Sequence, residues 1–96
     1  MAKSDYIILR PPLVATFELP TQNDLLKLKV GDSAKLIFQV GDDSPERMWV
    51  RLTDCSKQDA WKGIIDTDAT QEATLRALPA SREVIFHPLD IIQTLD

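Results

Sequence analysis

With 96 residues the chain has room for one core, because a split would leave each half below the roughly 50 residues of an ordinary domain. Eleven basic residues against fifteen acidic ones give a net charge of −4 and a pI near 4.8, which lacks the basic footprint of a nucleic-acid binder. The single cysteine, Cys55, excludes an intrachain disulfide framework and favours a reducing, cytoplasmic compartment, and no apolar run approaches the roughly 18 residues of a membrane span.

Tyr6 to Leu9 is the first apolar run, and Arg10-Pro11-Pro12 interrupts it well short of a secretion-signal core. We read residues 1–96 as a single domain whose residues 1–12 form a partly ordered N-terminal arm. Leu13, Ala15, Phe17 and Leu19 alternate with Val14, Thr16 and Glu18, the two-residue period of a strand with one wet face, and Pro20 ends it. Thr21 followed by Asp24 resembles a capping box with Asp in place of Glu, and Leu25, Leu26 and Leu28 follow at helical spacing, so one or two turns of helix are expected. Lys27-Leu28-Lys29 and Lys35 are too few and scattered to suggest a basic patch, and Val30-Gly31-Asp32 turns the chain.

Residues 34–40 and 47–52 flank a Gly-Asp-Asp-Ser-Pro-Glu link rich in turn formers, which predicts a β-hairpin. With Phe38 opposite Val50, the residues Leu36, Phe38 and Val40 share a core face with Met48, Val50 and Leu52. Lys35, Ile37, Gln39, Trp49, Arg51 and Thr53 then lie on the other face, where Ile37 and Trp49 form an apolar spot among polar neighbours. Residues 60–67 supply a further strand, and Gly63 within it marks a bulge or a close backbone approach. Asp68, Gln71 and Glu72 open a stretch with two helical turns before Pro79. Residues 83–86 form a last strand, and Pro88 begins a terminal turn or short helix. The fold class is therefore mainly β (α+β): a small antiparallel sheet with one or two short helices.

Val30-Gly31-Asp32, Met48-Trp49-Val50, Trp61-Lys62-Gly63 and the run from Val84 through Phe86 to Asp90-Ile91 resemble, over roughly residues 21–92, a small bacterial family of domains of unknown function. The family pattern has Gly-Asp before the last strand, where this chain has Ser81-Arg82. The resemblance implies a small, strongly bent antiparallel sheet or SH3-like partial barrel, with helical turns attached, and no activity. Some such small domains occur near toxin-immunity or phage-defence genes.

Asp66, Asp68 and Thr70 match the D-x-D-x-T pattern of haloacid-dehalogenase-type phosphatases. That chemistry also needs later acids for magnesium, a basic residue for the phosphoryl charge and a parallel sheet, and too little chain follows Thr70 to supply them. The bland reading is a strand end, an Asp-rich turn and a helix cap. Cys55 and His87 would have to meet in space to act as nucleophile and base, and nothing in their spacing brings them together. One His and one Cys supply no zinc set, and no Asp-Glu spacing reproduces a calcium loop, so no cofactor or metal is expected.

Trp49 and Trp61 fall on successive strands and read either as packing at an end of the core or as a shelf for a peptide. Asp42, Asp43 and Glu46 make an acidic hairpin tip, either a solvated turn or a contact for a basic partner. The expectation is a non-catalytic protein-interaction module with no nucleic-acid or membrane partner, engaging its partner through Ile37, Trp49, Arg51, Trp61, the acidic tip and an open sheet edge. The alternative is an acidic inhibitor or immunity-type protein that blocks a basic site. An uncovered edge or the Trp49 face leaves self-association open.

Overall fold

A computed structural model describes residues 6–11 and 19–95. The alternating segment expected to form a strand at 13–19 lies outside the described residues except for Leu19. Among the described residues six strands build one antiparallel sheet: β1 (Ile7–Leu9), β2 (Ser33–Gln39), β3 (Glu46–Asp54), β4 (Trp61–Ile65), β5 (Glu83–Phe86) and β6 (Gln93–Thr94). They follow the order β1-β2-β3-β4-β5, and β6 pairs with β2 at Ala34 and Lys35, beyond the stretch that β1 occupies. The sheet curls into a half-barrel compatible with an SH3-like fold. The described residues also form two short helices, α1 (Gln22–Leu26) and α2 (Glu72–Ala77), and a 3-10 turn (Pro88–Asp90).

Alternation sets the core. On β2 the buried positions are Ala34, Leu36 and Phe38, on β3 Met48, Val50 and Leu52, and Ile65, Leu78, Val84, Phe86 and Ile91 join them in one cluster. Burying each of the large side chains contributes about 1.5–3 kcal/mol. The hairpin register differs from the expected one. Phe38 pairs with Glu46, Leu36 with Met48 and Ala34 with Val50, so β3 is displaced by four residues, from Val50 to Glu46, opposite Phe38. The cause is an earlier turn. The Asp43 amide donates to the Val40 carbonyl at 3.0 Å, Gly41 takes a φ of 55°, and pairing resumes at Glu46, a residue assigned by composition to the link. Because the displacement is even, every side chain keeps its expected face.

Gly63 is a close backbone approach. A Cβ there would stand 3.0 Å from the Arg51 carbonyl oxygen, 3.3 Å from Val50 Cγ2 and 3.4 Å from Phe86 Cε1, and the β3–β4 register shifts beside it between Leu52 and Asp54. The helix α1 begins with the capping box read in the sequence: the Asp24 amide donates to Thr21 Oγ1 at 3.1 Å and the Thr21 amide to Asp24 Oδ2 at 2.9 Å. Hydrogen bonding from the Thr21 amide, and then from its side chain, holds the Asp24 carboxyl below its ordinary value. In α2 only Thr74 is buried, Leu75 faces solvent, and Leu78, just past the helix, enters the core. Ser81 has a φ of 75°, a left-handed conformation that favours glycine.

Side chains span the seam between the outer strands. The Arg82 guanidinium lies 4.9 Å from the Tyr6 ring centre near the start of β1, and Arg10 Nε meets Asp90 Oδ1 at 3.0 Å near its end. Among the described residues, no buried side-chain nitrogen or oxygen is left without a hydrogen bond.

Candidate interaction face

The outward side of β2, β3 and β4 gathers residues that the chain keeps apart. On β3, Arg47, Trp49 and Arg51 point away from the core, since Met48, Val50 and Leu52 point into it. Cross-strand pairing sets Ile37 opposite Arg47, Lys35 opposite Trp49 and Ser33 opposite Arg51. On the other side Ile64 is opposite Arg51, and Lys62 lies two residues along from Ile64. Arg47 and Arg51 are exposed, while Lys35, Ile37, Trp49, Lys62 and Ile64 are half-buried. Lys35 Nζ sits 4.8 Å from the centre of the Trp49 ring, a cation–π contact between direct cross-strand neighbours. The Trp49 backbone is pinned on its far side by donation to Thr67 Oγ1 at 3.2 Å and by acceptance of the Asp66 amide at 3.0 Å.

Trp61 does not join this face. It alternates with Gly63 and Ile65 on the core side and packs against the core cluster, so the two indoles stand on opposite faces of the sheet and make no common shelf. Trp61 instead lines a groove of about 640 Å³ with Leu25 and Leu26 of the α1 region, Cys55, His87 and Leu89. The fold thus brings Cys55 and His87 to one groove, which their spacing did not foretell. Their chemistry there is unlike that of a nucleophile and its base. Partial burial, then the charges of Asp54 and Asp32, push the Cys55 thiol up, and His87 Nδ1 accepts the Leu89 amide at 3.0 Å. No hydrogen bond joins the two among the described residues, and these residues hold no group of three or more His, Cys, Asp or Glu suited to a metal ion.

At the hairpin tip the acids divide. Glu46 accepts the Thr70 amide at 2.7 Å, the Thr70 hydroxyl at 2.8 Å, the Gln71 amide at 3.2 Å and Gln71 Nε2 at 3.3 Å. Asp43 Oδ2 accepts the buried Thr74 hydroxyl at 3.1 Å, and Gln71 also clasps both backbone groups of Ser44. Partial desolvation pushes the Glu46 carboxyl up, but the bonds from Thr70 and Gln71 together outweigh it and hold the group below its ordinary value. Glu46 and Asp43 therefore tie the start of α2 to the hairpin, while Asp42 stays exposed. Of the D-x-D-x-T segment, Asp66 and Asp68 are exposed and Thr70 is held by Glu46.

Of the expected partner-facing residues, Ile37, Trp49 and Arg51 come together; Trp61, Asp43 and Glu46 are drawn elsewhere. Lys35, expected on this face, and Arg47 and Lys62, which were missed, belong to it as well. Strand parity carried the signal for Lys35 and Arg47, but Lys62 required knowing which strand pairs with β3. No helix among the described residues is long and apolar enough to cross a membrane. Compared with known proteins, the chain matches no family model, no curated protein and no solved structure.

Proposed function

We propose that the chain is a non-catalytic, cytoplasmic interaction domain of the small bacterial family its motifs resemble, and that it binds a protein partner through the outward face of β2, β3 and β4. The observation that carries this reading is Trp49, which points away from a complete apolar core and stands among Lys35, Arg47 and Arg51. Tryptophan and arginine dominate the energetics of protein interfaces because each offers a large contact area together with directional polar groups. Glu46 and Asp43 spend their carboxylates inside the molecule, which favours this reading over an acidic inhibitor working through the hairpin tip.

The test is capture from an extract of the cells that make the protein, using the tagged parent, Trp49→Ala and Arg51→Glu, with circular dichroism to verify the fold of each. A partner retained by the parent and lost by both folded variants is expected. A partner retained equally by all three overturns the reading.

A further inference from the structure

The chain is acidic overall, yet the face around Trp49 is locally basic. Lys35, Arg47, Arg51 and Lys62 project from three adjacent strands, and among the outward positions within β2, β3 and β4 the acid is Asp54, which the β3–β4 register shift sets opposite Lys62 at the end of β3. Further acids stand at its borders: Asp66 just beyond β4, and Glu83 on β5 opposite Ile64. Among the described residues no salt bridge takes Lys35, Arg51 or Lys62; Lys35 lies over the Trp49 ring and Lys62 stands opposite Asp54, whose carboxyl it helps the Ser56 hydrogen bonds to hold down, which leaves Arg51 open to an approaching ligand. Lone cations on a sheet face ordinarily serve solubility; here the sign of the face opposes that of the chain, and an indole sits in its middle.

We infer that the segment taken by this face is an extended, carboxylate-rich stretch of a partner protein; this rests on the function proposed above and names the partner's chemistry. Side chains on one face of an extended strand recur about every 6.5–7 Å, so Arg47, Trp49 and Arg51 repeat at the spacing with which an extended peptide presents alternate residues. Carboxylates meet Arg51 in forked hydrogen bonds, and Lys35 and Lys62 add charge from the flanking strands. Apolar residues of the segment lie against Ile37, Ile64 and the indole edge. Nucleic acid fits less well. Trp49 is the lone aromatic residue on the outward positions of β2, β3 and β4, Lys35 already lies over its ring, and the chain's net charge of −4 opposes a continuous run of phosphates.

The experiment titrates the isotopically labelled protein with a short peptide alternating Glu and Val, its Gln-for-Glu counterpart, and single-stranded oligothymidylate, following amide and indole resonances. Arg51→Glu and Lys62→Glu variants, verified as folded by the same spectra, are run beside the parent. The Glu peptide is expected to shift the Trp49 indole and the amides of β2 to β4. Affinity should fall about tenfold in either variant and again on raising salt from low to several times physiological strength. Equal binding of the Gln peptide at the same resonances, unaffected by charge reversal, overturns the acidic assignment and leaves the interaction face standing. Tighter binding of the oligonucleotide at this face overturns it in favour of nucleic acid. Failure of every probe to move the Trp49 resonances overturns both the acidic assignment and the face itself.

Discussion

Glu46, on the hairpin, accepts both the amide and the hydroxyl of Thr70, 24 residues further on, at 2.7 and 2.8 Å. The carboxylate does for α2 what a local cap would do, since Gln71 at the N-cap makes no side-chain capping bond to its own helix. One side chain thereby fixes the hairpin register and the start of the helix together.

Removing this clasp has a defined cost. Glu46→Ala is expected to destabilise the fold by about 1–2 kcal/mol, the scale of a lost cap, with the lower half favoured because the carboxylate is reached by water. Urea unfolding of parent and variant measures it, and an unchanged midpoint would show that the clasp contributes nothing.

The same group shapes the acid limb of stability. Asp24, Glu46 and Asp54 all have carboxyls held below their ordinary values: Asp24 by bonds from Thr21, Glu46 by those from Thr70 and Gln71 against a desolvation that raises it, and Asp54 by bonds from Ser56. A depressed carboxyl binds its proton more weakly in the folded state than in the unfolded one. Its stabilisation is full above the ordinary carboxylate range and is lost as pH falls through the folded value, so stability should decline below about pH 4.5. Melting temperatures across this range should fall less steeply for Glu46→Gln than for the parent, and parallel curves would contradict the assignment.

Gly63 and Ser81 make opposite predictions from backbone geometry. Gly63→Ala drives a methyl to 3.0 Å from the Arg51 carbonyl and should destabilise by about 1–3 kcal/mol, as overpacking against a backbone does. Ser81→Gly relieves a left-handed φ of 75° and should stabilise by about 0.5–1 kcal/mol after the greater freedom of the unfolded chain is counted. Chemical denaturation of both variants checks the two signs.

The tryptophans should part company in stability. Trp61→Ala opens space beside the core and is expected to cost about 2–4 kcal/mol. Trp49→Ala removes an outward side chain and the contact with Lys35, at about 1 kcal/mol. A double-mutant cycle on Lys35 and Trp49 should return a coupling of about 0.5–1 kcal/mol.

Features decided by near neighbours were legible in the sequence. The Thr21–Asp24 capping box, the alternation of β2 and β3, the small residue at Gly63, and the stretch from Glu83 through Pro88 all follow from spacing along the chain. Features decided by which segments meet were not. The hairpin register hinged on Glu46, which reads as a turn residue until Thr70 and Gln71 are seen to hold it. The strand β6 is two residues long and exists because β2 offers an edge at Ala34 and Lys35. The two indoles looked equivalent on adjacent strands, but the pairing of Leu52 with Gly63 turns Trp61 inward while Trp49 stays outward. The basic face was hidden for the same reason, since Lys35, Arg47, Arg51 and Lys62 become one group through pairing across three strands.

The most direct measurement compares folding and binding in Trp49→Ala, taking unfolding free energy from urea titration and affinity from calorimetry with the captured partner. The account predicts a folded variant that loses about 1 kcal/mol of stability and at least about tenfold in affinity. A variant that cannot fold, or one that folds and binds as tightly as the parent, would contradict the claim that the outward face around Trp49 is where this protein meets its partner.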